Sequence, residues 1–285
     1  MNDQSTLATR NPRTGQTDGA MPVFDAEQVA AVAQALRQAQ PAWAALPLAD
    51  RLGRLAQLAD AMTADAAALI EAISADTGRR NESAMEVQGT VGTIRRWLED
   101  APGLLAEEAP YRSRVAHITV EPQRRPYGVA GIISPWNFPL ILSMIDAIPA
   151  LVAGCAVMVK PSEATPRFVA VLERIVARVD GLASVLRFVT GAGATGEALV
   201  RHSDVVCFTG SVRTGRRVGL LAAEVFVPVH LELGGKDAAI VCADADIAMA
   251  ARAVAWGSMG AAGQSCMSIE RCYVHRSVHD AFVEA

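Results

Sequence analysis

The sequence predicts an α/β fold: a parallel sheet with helices on both faces. Three observations carry this. From Val129 onward, short apolar runs alternate with amphipathic segments. Before that, Ala- and Leu-rich stripes at helical spacing fill residues 26–108. Glycine-rich turns follow several of the apolar runs, where parallel α/β proteins place their ligands.

The N-terminal helices come first. "AEQVAAVAQALRQAQ" opens them, and Leu52, Leu55, Ala59 and Met62 form a stripe continued by Leu69, Ile70 and Ile73. Thr77-Gly78 ends it, because glycine tolerates a left-handed cap. A third helix turns Met85, Val91, Ile94 and Leu98 inward, and Pro102-Gly103 interrupts it. "SRVAHITVEPQRRPYGV" alternates and reads as a protruding β ribbon. The strands that follow are "VAGIIS" (129–134), "AVMVK" (156–160), "VLRFV" (185–189), "DVVCFT" (204–209) and "PVHLEL" (228–233). Helices lie between them at 139–153, 165–180, 195–202 and 211–223. "RCYV" is a further strand, and "SVHDAFVEA" starts a helix with Ser277 as its N-cap. No cap signal precedes Ala285, which is expected of a truncated chain.

Composition excludes several classes. The chain has 285 residues, 51% hydrophobic, with a formal net charge of −4. That charge calls for neither nucleic acid nor an anionic membrane. Pairs such as Arg95-Arg96 and Arg216-Arg217 are isolated and read as solvated helix faces. The first residues show no basic stretch followed by an apolar one, so no signal peptide is read. The longest apolar run, "FPLILSMIDAIPALVAG", is short and carries Asp146 and Pro149, so no membrane span is expected. Five cysteines without metal-ligand spacing suggest a reduced, cytoplasmic protein with no metal.

Six short motifs carry chemistry. "FTGSVRTG" follows a strand and opens a helix; Gly210 allows a tight turn, and Ser211 can cap a helix whose free N–H groups suit a phosphate. "GAGATG" is an imperfect dinucleotide fingerprint through Gly191, Gly193 and Gly196. An ordinary βα turn explains either one alone. "VKPSEATP" puts Lys160 and Glu163 at a strand's carboxyl end, where a carboxylate can take both ribose hydroxyls; a solvated loop is the plainer reading. "ISPWNFPL" fixes Asn137 between two prolines, as an oxyanion donor requires, though a turn asparagine is commoner. "LELGGKD" sets Glu232 between leucines. A buried strand there would raise its pKa and favour a general base; an exposed edge strand would not. Cys266 in "GQSCM" is either a thiolate nucleophile or an inert cysteine, and the other four read as inert.

Together the motifs are specific. "PWNFP", "VKPSEATP", "FTGS" with a following "TG", "LELGGK" and "GQSC" occur in one order, and by them the chain resembles the aldehyde dehydrogenase superfamily over essentially its whole length. "GQSCMSIERCYV" is also similar to a group of bacterial semialdehyde and aromatic-aldehyde dehydrogenases.

The resemblance implies roles. Cys266 would be the nucleophile, Asn137 an oxyanion donor, and Glu232 the base that activates the hydrolytic water. NAD, with NADP also admissible, would be bound by Ser134, Pro135, Trp136, Lys160, Ser162, Glu163, Gly193, Gly210, Ser211, Gly215, Glu232, Leu233 and Gly234. Glu163 beside the ribose would repel a 2′-phosphate and favour NAD. Gln264 and the flanks Ser265 and Met267 would shape the aldehyde pocket or support the cysteine's backbone.

The implied fold is a Rossmann-like dinucleotide-binding domain (1–112 and 128–232), an oligomerisation ribbon (113–127) and the start of a second, truncated α/β catalytic domain (233–285). Family members are longer. The later "E-x-F-G-P" motif, whose Glu holds the nicotinamide ribose, is absent here. A homodimer or homotetramer acting on a small aldehyde is the implied assembly. Two alternatives remain: a non-catalytic dinucleotide-binding module, and a CoA-acylating enzyme, against which Glu232 argues.

Overall fold

The structure, a computed structural model, describes residues 5–285. Residues 1–4, the beginning of the expected 1–112 segment and of the stretch read for a signal peptide, lie outside the described residues. Contacts divide the chain into two units: Met1–Thr209 with Arg216–Leu231, and Gly210–Gly215 with Glu232–Ala285.

The larger unit opens with an antiparallel hairpin, β1 (Thr6–Arg10) and β2 (Thr17–Pro22), which the sequence analysis did not identify. Four helices follow: α1 (Ala26–Ala44), α2 (Leu48–Ala64), α3 (Ala66–Thr77) and α4 (Arg80–Leu104). Asp25 and Gln28 form a capping box at the start of α1. Gly78 ends α3 at φ 73°, as the Thr77-Gly78 pair predicts.

Two expectations need correction here. Met85 is 63% exposed, because the buried stripe of α4 runs through Ser83, Glu86, Val87, Thr90, Val91 and Ile94 and leaves Met85 off it. Pro102 does not interrupt α4. It falls in the last turn, where only one ladder bond is lost, and the Leu105 amide closes the helix on Ala101.

The ribbon is a short antiparallel pair, β3 (Tyr111–Arg112) with β4 (Thr119–Val120). Then come β5 (Val129–Ile133), α5 (Pro139–Met144), α6 (Ala147–Ala153), β6 (Ala156–Lys160), α7 (Phe168–Val176), α8 (Leu182–Val185), β7 (Leu186–Phe188), α9 (Gly193–His202), β8 (Val205–Gly210), α10 (Val212–Glu224) and β9 (Val229–Leu233). The single helix expected over 139–153 is broken at Ile145 and Asp146. Pro149 explains the break: it has no N–H for the Ile145 carbonyl, and its ring crowds that group.

The five strands form one sheet in the order β7-β6-β5-β8-β9, with parallel pairing at β7–β6, β6–β5 and β5–β8. Every residue of β5 and β6 is buried, which explains their unbroken apolar runs. The strand order reverses between β5 and β8, the switch point at which open α/β sheets bind ligands. The register pairs Ile133 with Lys160 and with Phe208, so the loops that follow these strands start at one edge of the sheet.

In the smaller unit β10 (Asp237–Val241) pairs in parallel with β11 (Ile269–Val274), joined by α11 (Ile247–Met259). Asp246 caps α11 by accepting from the Met249 amide. No residue of α11 is buried, and Met249, Trp256 and Met259 stand exposed. The last helix, α12, spans His279–Glu284. Ser277 is not its cap; it sits inside a preceding 3₁₀ turn and binds His275.

Candidate functional site

In the larger unit the site is built on the loops after β5 and β6. The Ser134 amide donates to the Lys160 carbonyl at 3.1 Å, tying the two loop starts together. The Ser134 hydroxyl lies 2.6 Å from that of Ser143, whose own hydroxyl donates to Pro139. Pro135 is half-buried and Trp136 is 46% exposed. The Trp136 carbonyl accepts from the Thr165 hydroxyl at 3.2 Å. Asn137, half-buried, follows; its carbonyl accepts from the Arg79 guanidinium, which also lies 5.2 Å from the centre of the Phe138 ring. Glu86 is buried beneath this loop and accepts from the amides of Leu140 at 2.6 Å and Ile141 at 3.1 Å. Burial pushes its carboxyl up to about 7, against the lowering effect of those amides and the Arg79 charge. Nothing in the sequence singled out Arg79 or Glu86, which lie more than fifty residues before the loop they hold.

Lys160, 5% exposed, ends β6. Its ammonium donates to the Pro161 carbonyl at 3.0 Å and to the Glu163 carboxylate at 3.0 Å. Partial burial alone would raise Glu163; the Lys160 charge, a backbone amide and the Lys160 hydrogen bond outweigh it and hold the carboxyl below its ordinary range. Ser162 supports the same turn through the Ala164 amide. An ammonium and an ionised carboxylate fixed side by side at the sheet's carboxyl edge match the donors and acceptors of a ribose. Gly193 opens α9, and a β-carbon there would meet nothing within 4 Å. Gly191 is different: a β-carbon would fall 2.0 Å from the Thr195 hydroxyl, so this glycine of the fingerprint is required by packing.

In the smaller unit, Gly210 ends β8 and Ser211 precedes α10. The Ser211 hydroxyl accepts from the Thr214 amide at 3.3 Å, and its carbonyl accepts from Gly215 at 2.8 Å. Ser211 thus caps the helix, as its position predicts. Glu232 is exposed, not desolvated: β9 is the edge strand, and its middle three residues face solvent. Leu233 is half-buried, and Gly234 has open space at its β-carbon position.

Cys266 sits on a tight turn ahead of β11. The Ser268 amide donates to the Ser265 carbonyl at 3.1 Å, and the Met267 amide to the Ser265 hydroxyl at 3.2 Å. The thiol therefore stands at a turn corner, half-buried, between buried Ser268 and a turn rich in left-handed residues: Ala261 (φ 53°), Ala262 (φ 57°) and Gly263 (φ 72°). Gln264 closes that turn through its amide to Ala261. Ser265 thus ties together the turn that carries the cysteine. Of the other thiols, Cys155 is buried and raised by its burial, Cys207 is pushed up to about 12 chiefly by burial, and Cys242 and Cys272 are exposed.

A cleft of about 530 Å³ lined by Met21, Phe24, Arg167, Glu173, Phe188 and Thr190 contains none of these residues. Among the described residues no helix is long and apolar enough to cross a membrane.

Comparison with known proteins agrees with the motifs. The aldehyde dehydrogenase family matches residues 1–285. The chain is 35% identical over 284 residues to 4,4'-diapolycopene aldehyde oxidase from Methylomonas sp, covering 98% of the chain and 54% of that protein. It is 36% identical to 2-hydroxymuconic semialdehyde dehydrogenase from a Pseudomonas strain, covering 96% and 58%. Among solved structures, PutA from Anabaena variabilis superposes with a TM-score of 0.95 at 44% identity, covering 98% of this chain and 60% of that one. Others include an E. coli NADP dependent enzyme (TM-score 0.93, 30% identity, covering 99% and 59%) and PnpE in complex with nicotinamide adenine dinucleotide (0.92, 32%, covering 98% and 58%). The chain spans a little over half the length of the curated relatives it matches. With its family match running the full chain, the protein belongs to the aldehyde dehydrogenase family.

Proposed function

We propose that this chain carries the cofactor-binding part, and the nucleophile, of an enzyme that oxidises a small aldehyde to a carboxylic acid with NAD(P). The observation that carries the reading is the placement of Cys266. It stands half-exposed at the corner of a hydrogen-bonded turn, inside a motif shared with the family. Cys155 and Cys207 have their thiols raised by burial.

The Cys266 thiolate adds to the aldehyde carbonyl, giving a thiohemiacetal whose oxyanion is held by the Asn137 amide and the Cys266 N–H. Bound NAD(P) supplies the hydride acceptor. With NAD(P) bound to accept that hydride, the acyl group would remain on Cys266 as a thioester. Glu232 takes a proton from water, the water oxygen adds to the thioester carbonyl, and the carbon–sulfur bond breaks to release the acid and the thiolate. Glu232 lies exposed on the edge strand β9, so its assignment as the base rests on the LELGGK motif and not on burial.

Lys160 and Glu163 hold the adenosine ribose, and Glu163 biases the site toward NAD. Ser134, Pro135, Trp136, Ser162, Gly193, Gly210, Ser211, Gly215, Leu233 and Gly234 complete the cofactor contacts. Open space at the β-carbon positions of Gly193 and Gly234 supports close approach of a ligand. The β3–β4 ribbon, with Tyr111, Val115 and Ile118 exposed, supports assembly as a homodimer or homotetramer. Five free cysteines suit the reducing cytoplasm.

The test is Cys266→Ala in the native protein, with NADH formation and NAD binding measured side by side. Lost turnover with retained binding supports the assignment; surviving aldehyde oxidation ends it. The chain's share of its relatives' length favours a second reading, a binding module without turnover. NAD binding by the wild-type protein with no oxidation of any aldehyde would establish that instead.

A further inference from the structure

We propose that Arg79 and Glu86 are positioning residues that orient the Asn137 side chain by holding the backbone on both sides of it. The proposal rests on the reading of Asn137 as an oxyanion donor. An oxyanion donor acts through the direction of one N–H bond, and that direction begins with the orientation of its own Cα–Cβ bond. Two peptide planes set the latter. The plane before Asn137 is held through the Trp136 carbonyl, which accepts from Thr165 at 3.2 Å. The plane after it is held through the Asn137 carbonyl, which accepts from Arg79.

Arg79 is itself confined. Its guanidinium lies against the Phe138 ring at 5.2 Å, a cation–π contact that fixes the fork's orientation. Arg79 is the N-cap of α4; seven residues on, inside that helix, buried Glu86 takes the first free amides of α5, at Leu140 and Ile141. The loop from 137 to 141 thus has its carbonyl gripped by a guanidinium and its amides by a carboxyl oxygen, from α4 and its N-cap. Pro135 and Pro139 fix φ at their own positions in the same stretch. A mere packing role would not need this matching of donor and acceptor to backbone polarity.

The experiment compares Arg79→Met, Arg79→Lys, Asn137→Ala and the Arg79→Met/Asn137→Ala double variant in the native protein. It reads kcat and KM for aldehyde oxidation, thermal stability, and amide exchange of the 134–142 segment. Arg79→Met is expected to lower kcat by about tenfold to hundredfold, the scale of a misplaced catalytic group. KM for NAD and the melting temperature should hold, while exchange at Leu140 and Ile141 quickens. Arg79→Lys, which keeps a donor for the carbonyl, should recover much of the kcat. The double variant should be no slower than Asn137→Ala alone, because Arg79 acts through Asn137.

Unchanged kcat and exchange in Arg79→Met overturn the proposal. So do single losses that multiply in the double variant, or a kcat loss that tracks melting temperature across both Arg79 variants. Full activity in Asn137→Ala instead ends the oxyanion reading and the catalytic part of this role with it.

Discussion

Lys160 and Glu163 form a contact of 3.0 Å in which the lysine is almost wholly buried and the glutamate half-exposed. The lysine is the anchor, and the glutamate is the partner free to meet a ligand. Lys160→Met is expected to weaken NAD binding by about tenfold to hundredfold, the worth of a charge-assisted hydrogen bond. Glu163→Gln removes the charge that repels a 2′-phosphate and should narrow any preference for NAD over NADP by about tenfold. Calorimetric titration with each dinucleotide decides both.

Glu86 gives the chain a pH dependence with a definite sign. Its folded pKa of about 7 lies above the unfolded value of 4.5. Between those values the folded chain keeps a proton that the unfolded chain has released, so stability falls as pH rises through this window. Glu86→Gln removes the effect while keeping an acceptor for the Leu140 and Ile141 amides. Urea unfolding at a series of pH values should show the variant gaining on the wild type by on the order of 3 kcal/mol across the window. A difference that does not vary with pH would contradict the assignment.

Gly191 has no room for a methyl group. A β-carbon would sit 2.0 Å from the Thr195 hydroxyl, which donates to the Phe24 carbonyl at 2.7 Å. Gly191→Ala should cost about 1–3 kcal/mol of stability. Adding Thr195→Ala should return part of that loss by opening the space, as denaturant unfolding of the single and double variants would show.

Ala262 lies exposed at φ 57° in the turn before the cysteine, where an L-residue is strained and glycine is not. Ala262→Gly should raise stability by about 1 kcal/mol. If turnover falls at the same time, the strained turn serves to hold Cys266 in place; if turnover is unchanged, the strain is incidental.

The legible parts of the fold were those written in local pattern. Gly78 as a left-handed cap, the unbroken apolar runs of β5 and β6, and the Ser211 cap each follow from a few neighbouring residues. Pro149 carried the break between α5 and α6, but the apolar run around it concealed it. The β1–β2 hairpin was not legible, because "TDGAMP" lacks β-branched alternation and owes its strand state to pairing with Leu7 and its neighbours. The exposure of Glu232 depends on β9 being an edge strand, which is a property of sheet order and not of the leucines beside it. The candidate site residues were legible as motifs, but the residues that hold their loop were not. Arg79 and Glu86 reach a loop more than fifty residues further along the chain, and no local window holds both partners.

The uneven burial of the five thiols governs what a chemical labelling experiment can report. Cys242 and Cys272 are exposed and Cys266 is half-buried, whereas Cys155 is buried, and burial raises the thiols of both Cys155 and half-buried Cys207 against ionisation. Total label incorporated therefore sums several surface thiols. A Cys242→Ser/Cys272→Ser background would remove the two exposed thiols, so that the label incorporated would report chiefly on Cys266.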